Sequence, residues 1–161
     1  MAERATVARI TGVRFSPIAL KKRDMKILFI CKYNAFRSRI AEEYFNKVNK
    51  NKDITSFSRG IIIGGEPDKE QVELSKNILG INIVKRKPLP LAIQNLLEAD
   101  LIVVVANDVP KIIFNYKSGV LLNKVIIWKI KDEQMRNKNN INRIILSIKK
   151  RVDKLNRKLK K

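Results

Sequence analysis

The stretch Met25-Lys26-Ile27-Leu28-Phe29-Ile30-Cys31-Lys32-Tyr33-Asn34-Ala35-Phe36-Arg37-Ser38-Arg39-Ile40-Ala41-Glu42 decides the fold of this chain. Its first part, Lys26 to Ile30, is a short apolar run of the kind that fills a buried strand. From Ser38 to Val48 the period changes: Ile40, Ala41, Tyr44, Phe45 and Val48 recur at helical spacing and predict an amphipathic helix. A strand therefore runs into a helix through one short loop, and that loop holds a cysteine at its start and an arginine and a serine at its end.

The same alternation continues along the chain. Ile54 to Ile63 reads as a second strand running into Gly64-Gly65-Glu66-Pro67. Asp68 suits the N-cap of a helix through Leu79, with Gly80 as its stop. Leu91 to Glu98 predicts a shorter helix, and Leu101 to Val105 is the most strand-like run of all. Asp108 to Tyr116 is expected to be helical with Pro110 in its first turn, and Val125 to Trp128 is a fourth strand. Ile141, Ile145, Ile148, Val152, Leu155 and Leu159 lie on one stripe of a basic C-terminal helix, expected to pack on the sheet with its last turns protruding into solvent. Strands alternating with helices imply an open parallel sheet with helices on both faces, a three-layer α/β architecture. Residues 1–24 lack this regularity and read as a flexible extension without chemistry, ahead of one domain over 25–161.

Composition excludes more than it includes. The 161 residues contain one cysteine, Cys31, and no histidine. An intramolecular disulfide, a Cys/His zinc site and every Ser-His-Asp or Cys-His mechanism are ruled out. Lys and Arg number 35 against 15 Asp and Glu, a formal charge of +20, which favours polyanionic partners. A solvated basic face is the usual fate of surplus lysine and explains that charge without a partner. No apolar run approaches the roughly 20 residues of a membrane-spanning helix, and residues 1–24 lack the apolar core of a secretory signal. A cytoplasmic location is expected.

The loop after the first strand is where an open α/β sheet binds its ligands. Lys32, Tyr33, Asn34, Ala35 and Phe36 curl onto a helix N-terminus, whose free N–H groups and positive dipole end attract an oxyanion. The same field favours the thiolate of Cys31 without a histidine. Arg37 can clamp two equatorial oxygens of a phosphoryl group with its planar fork, and Ser38 can donate a hydrogen bond to the thiolate. Cys-x5-Arg-Ser between a strand and a helix is thus a phosphate-cradling nucleophile motif.

Ile27 to Cys31 through Asn34, then Arg37-Ser38 and Ile40-Ala41-Glu42, resembles the signature of the low-molecular-weight protein-tyrosine phosphatases, a family that shares its fold with thioredoxin-coupled arsenate reductases. The resemblance runs from Met25 to about Lys150. It includes Ser58-Arg59-Gly60, Glu66-Pro67-Asp68, Leu79-Gly80-Ile81, Ala99-Asp100-Leu101-Ile102 and Trp128 to Asp132. It implies a flavodoxin-like strand order 2-1-3-4, with Cys31 as nucleophile, Arg37 as phosphate clamp and Asp132 as general acid. Lys32, Tyr33, Asn34, Ala35, Phe36 and Ser38 would bind the substrate, Asn34 holding the loop in shape and Ser38 stabilising the thiolate. The reaction so implied passes through a phosphocysteine and needs no metal and no cofactor. Its partner would be a phosphorylated protein or a small aryl phosphate.

Four positions depart from the family pattern. Tyr33 stands where the family has Gly, a site where a positive φ would strain a tyrosine. Phe36 replaces the second loop cysteine. Arg39 replaces a proline and is expected to add positive charge near the pocket rim. Glu133 replaces the proline after the acidic aspartate, so that Glu133 itself or Asp108 could supply the acid. The single cysteine argues against a reductase relay, and Ala35 against the family's arginine phosphatases, which carry threonine there. Two other readings remain: a phosphate- or phosphoprotein-binding module of the same fold with weak or no turnover, and a basic nucleic-acid-associated protein, for which no motif speaks.

Overall fold

In the computed structural model, residues 24–116, 119–132 and 137–160 are described. The expected extension over 1–24 lies outside them except for Asp24, as does Glu133. Four parallel strands form one sheet: β1 (Met25–Cys31), β2 (Ile54–Gly60), β3 (Leu101–Val104) and β4 (Val125–Ile127), in the order β2-β1-β3-β4. The helices are α1 (Arg37–Val48), α2 (Lys69–Leu79), α3 (Ile93–Glu98) and α4 (Lys138–Leu159), with short 3-10 turns at Lys111–Phe114 and Val120–Lys124.

Strand β1 is buried on both faces, which is why its apolar run does not alternate. Ile27 and Phe29 face α1 and α4, meeting Phe45, Ile144, Ile145 and Ile148, with Trp128 beside Phe29. Leu28 and Ile30 face the opposite layer of Leu96, Phe114 and Leu121. Three layers result. The register aligns Cys31 with Gly60, and Ile30 with Val104, itself paired to Ile127. The carboxyl ends of the strands therefore meet along one edge.

Several boundaries differ from the sequence reading, each for a physical reason. Strand β2 stops at Gly60, because Gly60 then bonds Leu89 and Leu91 while the Ile62 N–H turns to the Lys32 carbonyl. Ile62 and Ile63 are left exposed, so their hydrophobicity did not signify burial. The segment Asp108–Tyr116 is not a helix. Pro110 has extended backbone (ψ 131°), and only a 3-10 turn follows. Helix α4 does not protrude: Val152 and Leu155 are buried and Leu159 packs against the same core. Asp68 and Gly80 do bound α2, the Gln71 side chain accepting from the Asp68 N–H at 3.0 Å and Gly80 taking φ 64°. No helix among the described residues is long and apolar enough to cross a membrane.

Candidate active site

At the carboxyl end of β1, Cys31 is buried, and its Sγ lies 3.0 Å from Ser38 Oγ. The Asn34 backbone N–H donates to the same sulfur at 3.3 Å. Asn34 has φ 56°, the only positive value among described residues other than glycine. The left-handed turn thus falls on Asn34, a residue type that tolerates it, and not on Tyr33, so the feared strain at Tyr33 does not arise.

The Asn34 side chain fixes a direction of hydrogen bonding. Its Oδ1 accepts from Arg86 Nη1 at 3.1 Å and from the Leu89 N–H at 3.0 Å. Neither partner can accept, so the amide orientation is forced. Its Nδ2 then donates to Ser38 Oγ and Ser58 Oγ, each at 2.8 Å. With its oxygen already accepting, Ser38 is set to donate its proton to Cys31. Ser58 in turn donates to Glu42 at 2.5 Å, and Arg86 binds Glu42 and Ser58 at 2.9 Å each. A relay of donors thus begins at the Arg86 guanidinium and ends at the Cys31 sulfur.

Arg37 is 1% exposed and held from both sides. Nη1 donates to the Ile130 carbonyl at 2.9 Å, and Nη2 meets Asp108 at 3.1 Å and Asp132 at 3.3 Å. Cys31, Tyr33, Ala35, Phe36, Arg37, Gln71 and Asp132 line one cavity of about 140 Å³. The thiol, the guanidinium and one carboxyl group of the sequence reading are brought to one place. Lys32 lies outside that lining, its ammonium 5.0 Å from the centroid of the Tyr33 ring. Among the described residues no group of three or more Cys, Asp or Glu could hold a metal.

Arg39 corrects an expectation. It is 1% exposed and turned away from the pocket rim, donating to the Ile83 carbonyl at 2.8 Å. The sequence reading also missed Arg86 and Glu42 as parts of the site, and took Asp108 only as a spare acid. Arg86 sits in Lys85-Arg86-Lys87, which looks like any basic surface run. Gly60 carried a better signal. A Cβ there would lie 2.7 Å from the Asn34 nitrogen, so the loop can press on β2 only if residue 60 is glycine.

The family model described as low molecular weight phosphotyrosine protein phosphatase matches residues 26–161, and the chain belongs to that family. Many solved structures share the fold, and three illustrate the range. A low molecular weight protein tyrosine phosphatase from T. tengcongensis is 25% identical, covers 83% of this chain and 99% of its own, and has a TM-score of 0.73. A YwlE mutant from Bacillus subtilis, YwlE being an arginine phosphatase, is 21% identical over 85% and 99%, with a TM-score of 0.73. An arsenate reductase from Archaeoglobus fulgidus is 27% identical over 81% and 98%, with a TM-score of 0.63. No curated protein matches by sequence.

Proposed function

We propose that the protein is a cysteine-dependent phosphomonoesterase acting on aryl phosphates, phosphotyrosine foremost. The observation that carries this is the Cys31 sulfur, hydrogen-bonded by the relay through Asn34 and Ser38, on a cavity that also holds Arg37 and Asp132. The Cys31 thiolate attacks phosphorus and the bond to the leaving oxygen breaks, with Asp132 giving its proton to that oxygen. Water then attacks the phosphocysteine, Asp132 takes its proton, and the S–P bond breaks to release phosphate. Arg37 exchanges its carboxylate partners for the equatorial oxygens, where its fork meets the charge that develops in the transition state. No metal or cofactor takes part. The absence of a second cysteine supports hydrolysis over an arsenate-reducing relay, and Ala35 supports an aryl over a guanidino substrate. A cytoplasmic domain over 25–161, with 1–24 as an extension, belongs to the same proposal.

A binding module is the second reading, favoured by one observation: both carboxylates already occupy Arg37 Nη2, and a ligand must displace them. Hydrolysis of p-nitrophenyl phosphate separates the two. Turnover by the wild type that is abolished in Cys31→Ser is expected; phosphate binding without turnover would replace the enzyme with the module.

A further inference from the structure

The aromatic side chains Phe29, Phe45, Phe114 and Trp128 are committed to the core. The segment after Asp132, Glu133-Gln134-Met135-Arg136, has no aromatic residue to offer. Two rings line the cavity with Cys31, Arg37 and Asp132. Phe36 is 4% exposed and packs inward, whereas Tyr33 is 37% exposed. Tyr33 is the ring that a ligand can reach.

Its seat is built. A Cβ on Gly64 would lie 2.5 Å from Tyr33 Cβ and 2.9 Å from its carbonyl oxygen, so only glycine at 64 leaves the side chain where it stands. Gly60 closes on the Tyr33 carbonyl carbon from β2, and the Ile62 N–H holds the Lys32 carbonyl at 3.0 Å. The Lys32 ammonium sits over the ring, and its pKa is raised chiefly by the hydrogen bond with Tyr33, so it stays charged. A ring already carrying a cation is a poor platform for a second one, while a neutral aryl group can still pack against it.

We propose that Tyr33 is the specificity-determining residue of this site, its ring packing on the aryl group of the ligand and, with Lys32 over it, selecting aryl phosphates over alkyl and guanidino phosphates. The proposal rests on the phosphatase reading for its chemistry, but binding tests it independently. Affinities of phenylphosphonate and methylphosphonate, neither of which is consumed, are compared by calorimetry in the wild type, Tyr33→Phe, Tyr33→Leu and Gly64→Ala. The wild type and Tyr33→Phe should prefer the phenyl compound by about tenfold, and Tyr33→Leu and Gly64→Ala should lose that ratio. On a Cys31→Ser background, Lys32→Gln should raise phosphoarginine binding relative to phenyl phosphate by about threefold, the value of removing one exposed cation. An aryl preference that is absent in the wild type, or survives in Tyr33→Leu, overturns the proposal, even in a protein that hydrolyses aryl phosphates. An aryl preference that depends on Tyr33 in a protein without turnover upholds it and sinks the phosphatase reading instead.

Discussion

Arg37 and Arg39 stand two residues apart on one helix, and each is 1% exposed, yet their surroundings are opposites. Two residues turn a helix by about 200°, so the side chains leave on opposite sides. Arg37 reaches the carboxyl edge of the sheet, where a backbone carbonyl and two carboxylates take its terminal nitrogens. Arg39 is driven between α1 and the chain at Ile83. Among the described residues it makes one hydrogen bond, and its Nε and Nη1 are buried without a partner there. Burial, and then the positive charge of Arg86, pull the pKa of Arg39 below its ordinary value, only partly offset by Glu42 and nearby acids. A buried charge is tolerable when its donors are met and destabilising when they are not. The comparison separates an arginine whose terminal nitrogens are met from one whose nitrogens are largely unmet.

Breaking the first half of the comparison should give the largest effect. Arg37→Lys keeps the charge but loses the fork, and kcat for an aryl phosphate should fall about a thousandfold. Near-wild-type turnover would remove Arg37 from the reaction. Asp132 comes next, since it shares Arg37 Nη2 with Asp108. Asp132→Asn should slow phenyl phosphate about a hundredfold and p-nitrophenyl phosphate far less, because an activated phenolate departs without a proton. Equal slowing of the two would move the acid to Asp108 or Glu133.

The sequence showed the architecture more plainly than the site. Five consecutive strand-forming positions in β1 and the apolar stripe of α4 encode burial directly, because burial is what an apolar residue reports. The end of β2 departs from its pattern for the converse reason: Ile62 and Ile63 are apolar but exposed. Cys31, Arg37 and Ser38 were legible because local spacing alone brings them together. Arg86 was not, since its role depends on reaching Asn34, 52 positions away in the chain. Arg39 is not legible either, because a charged side chain ordinarily seeks water and the buried route to Ile83 has no local signature.

The other half of the comparison is sharpened by Arg39→Met, which keeps the aliphatic stem and removes the unmet donors. Stability should rise by about 1 kcal/mol, visible as a melting temperature about 2–4 °C higher, even though the Ile83 carbonyl loses its donor. Aryl phosphatase activity should stay within about twofold of the wild type. A loss of 2 kcal/mol or more would mean that the single bond to Ile83 outweighs two unmet nitrogens, and the contrast with Arg37 would collapse.

A polar group that is paired but half open to water calibrates the small end of the scale. Asp153 on α4 accepts from Tyr44 Oη and from Lys149 Nζ, each at 2.8 Å. Burial pushes its carboxyl up, but the hydrogen bonds and the charges of Lys149 and Arg157 together outweigh this and hold it below its ordinary 3.8. A carboxyl lowered by folding contributes stability that is complete above the unfolded-state value and is lost as pH falls through the folded-state one. Asp153→Asn should therefore destabilise the protein by only about 0.5 kcal/mol at pH 7, since Asn still accepts from Tyr44 and the ion pair is solvent-screened. The difference in melting temperature between variant and wild type should shrink from pH 5 downward and vanish below about pH 2. A difference that persists undiminished in acid would show that the carboxylate's charge contributes nothing and that shape alone holds α4 against Tyr44.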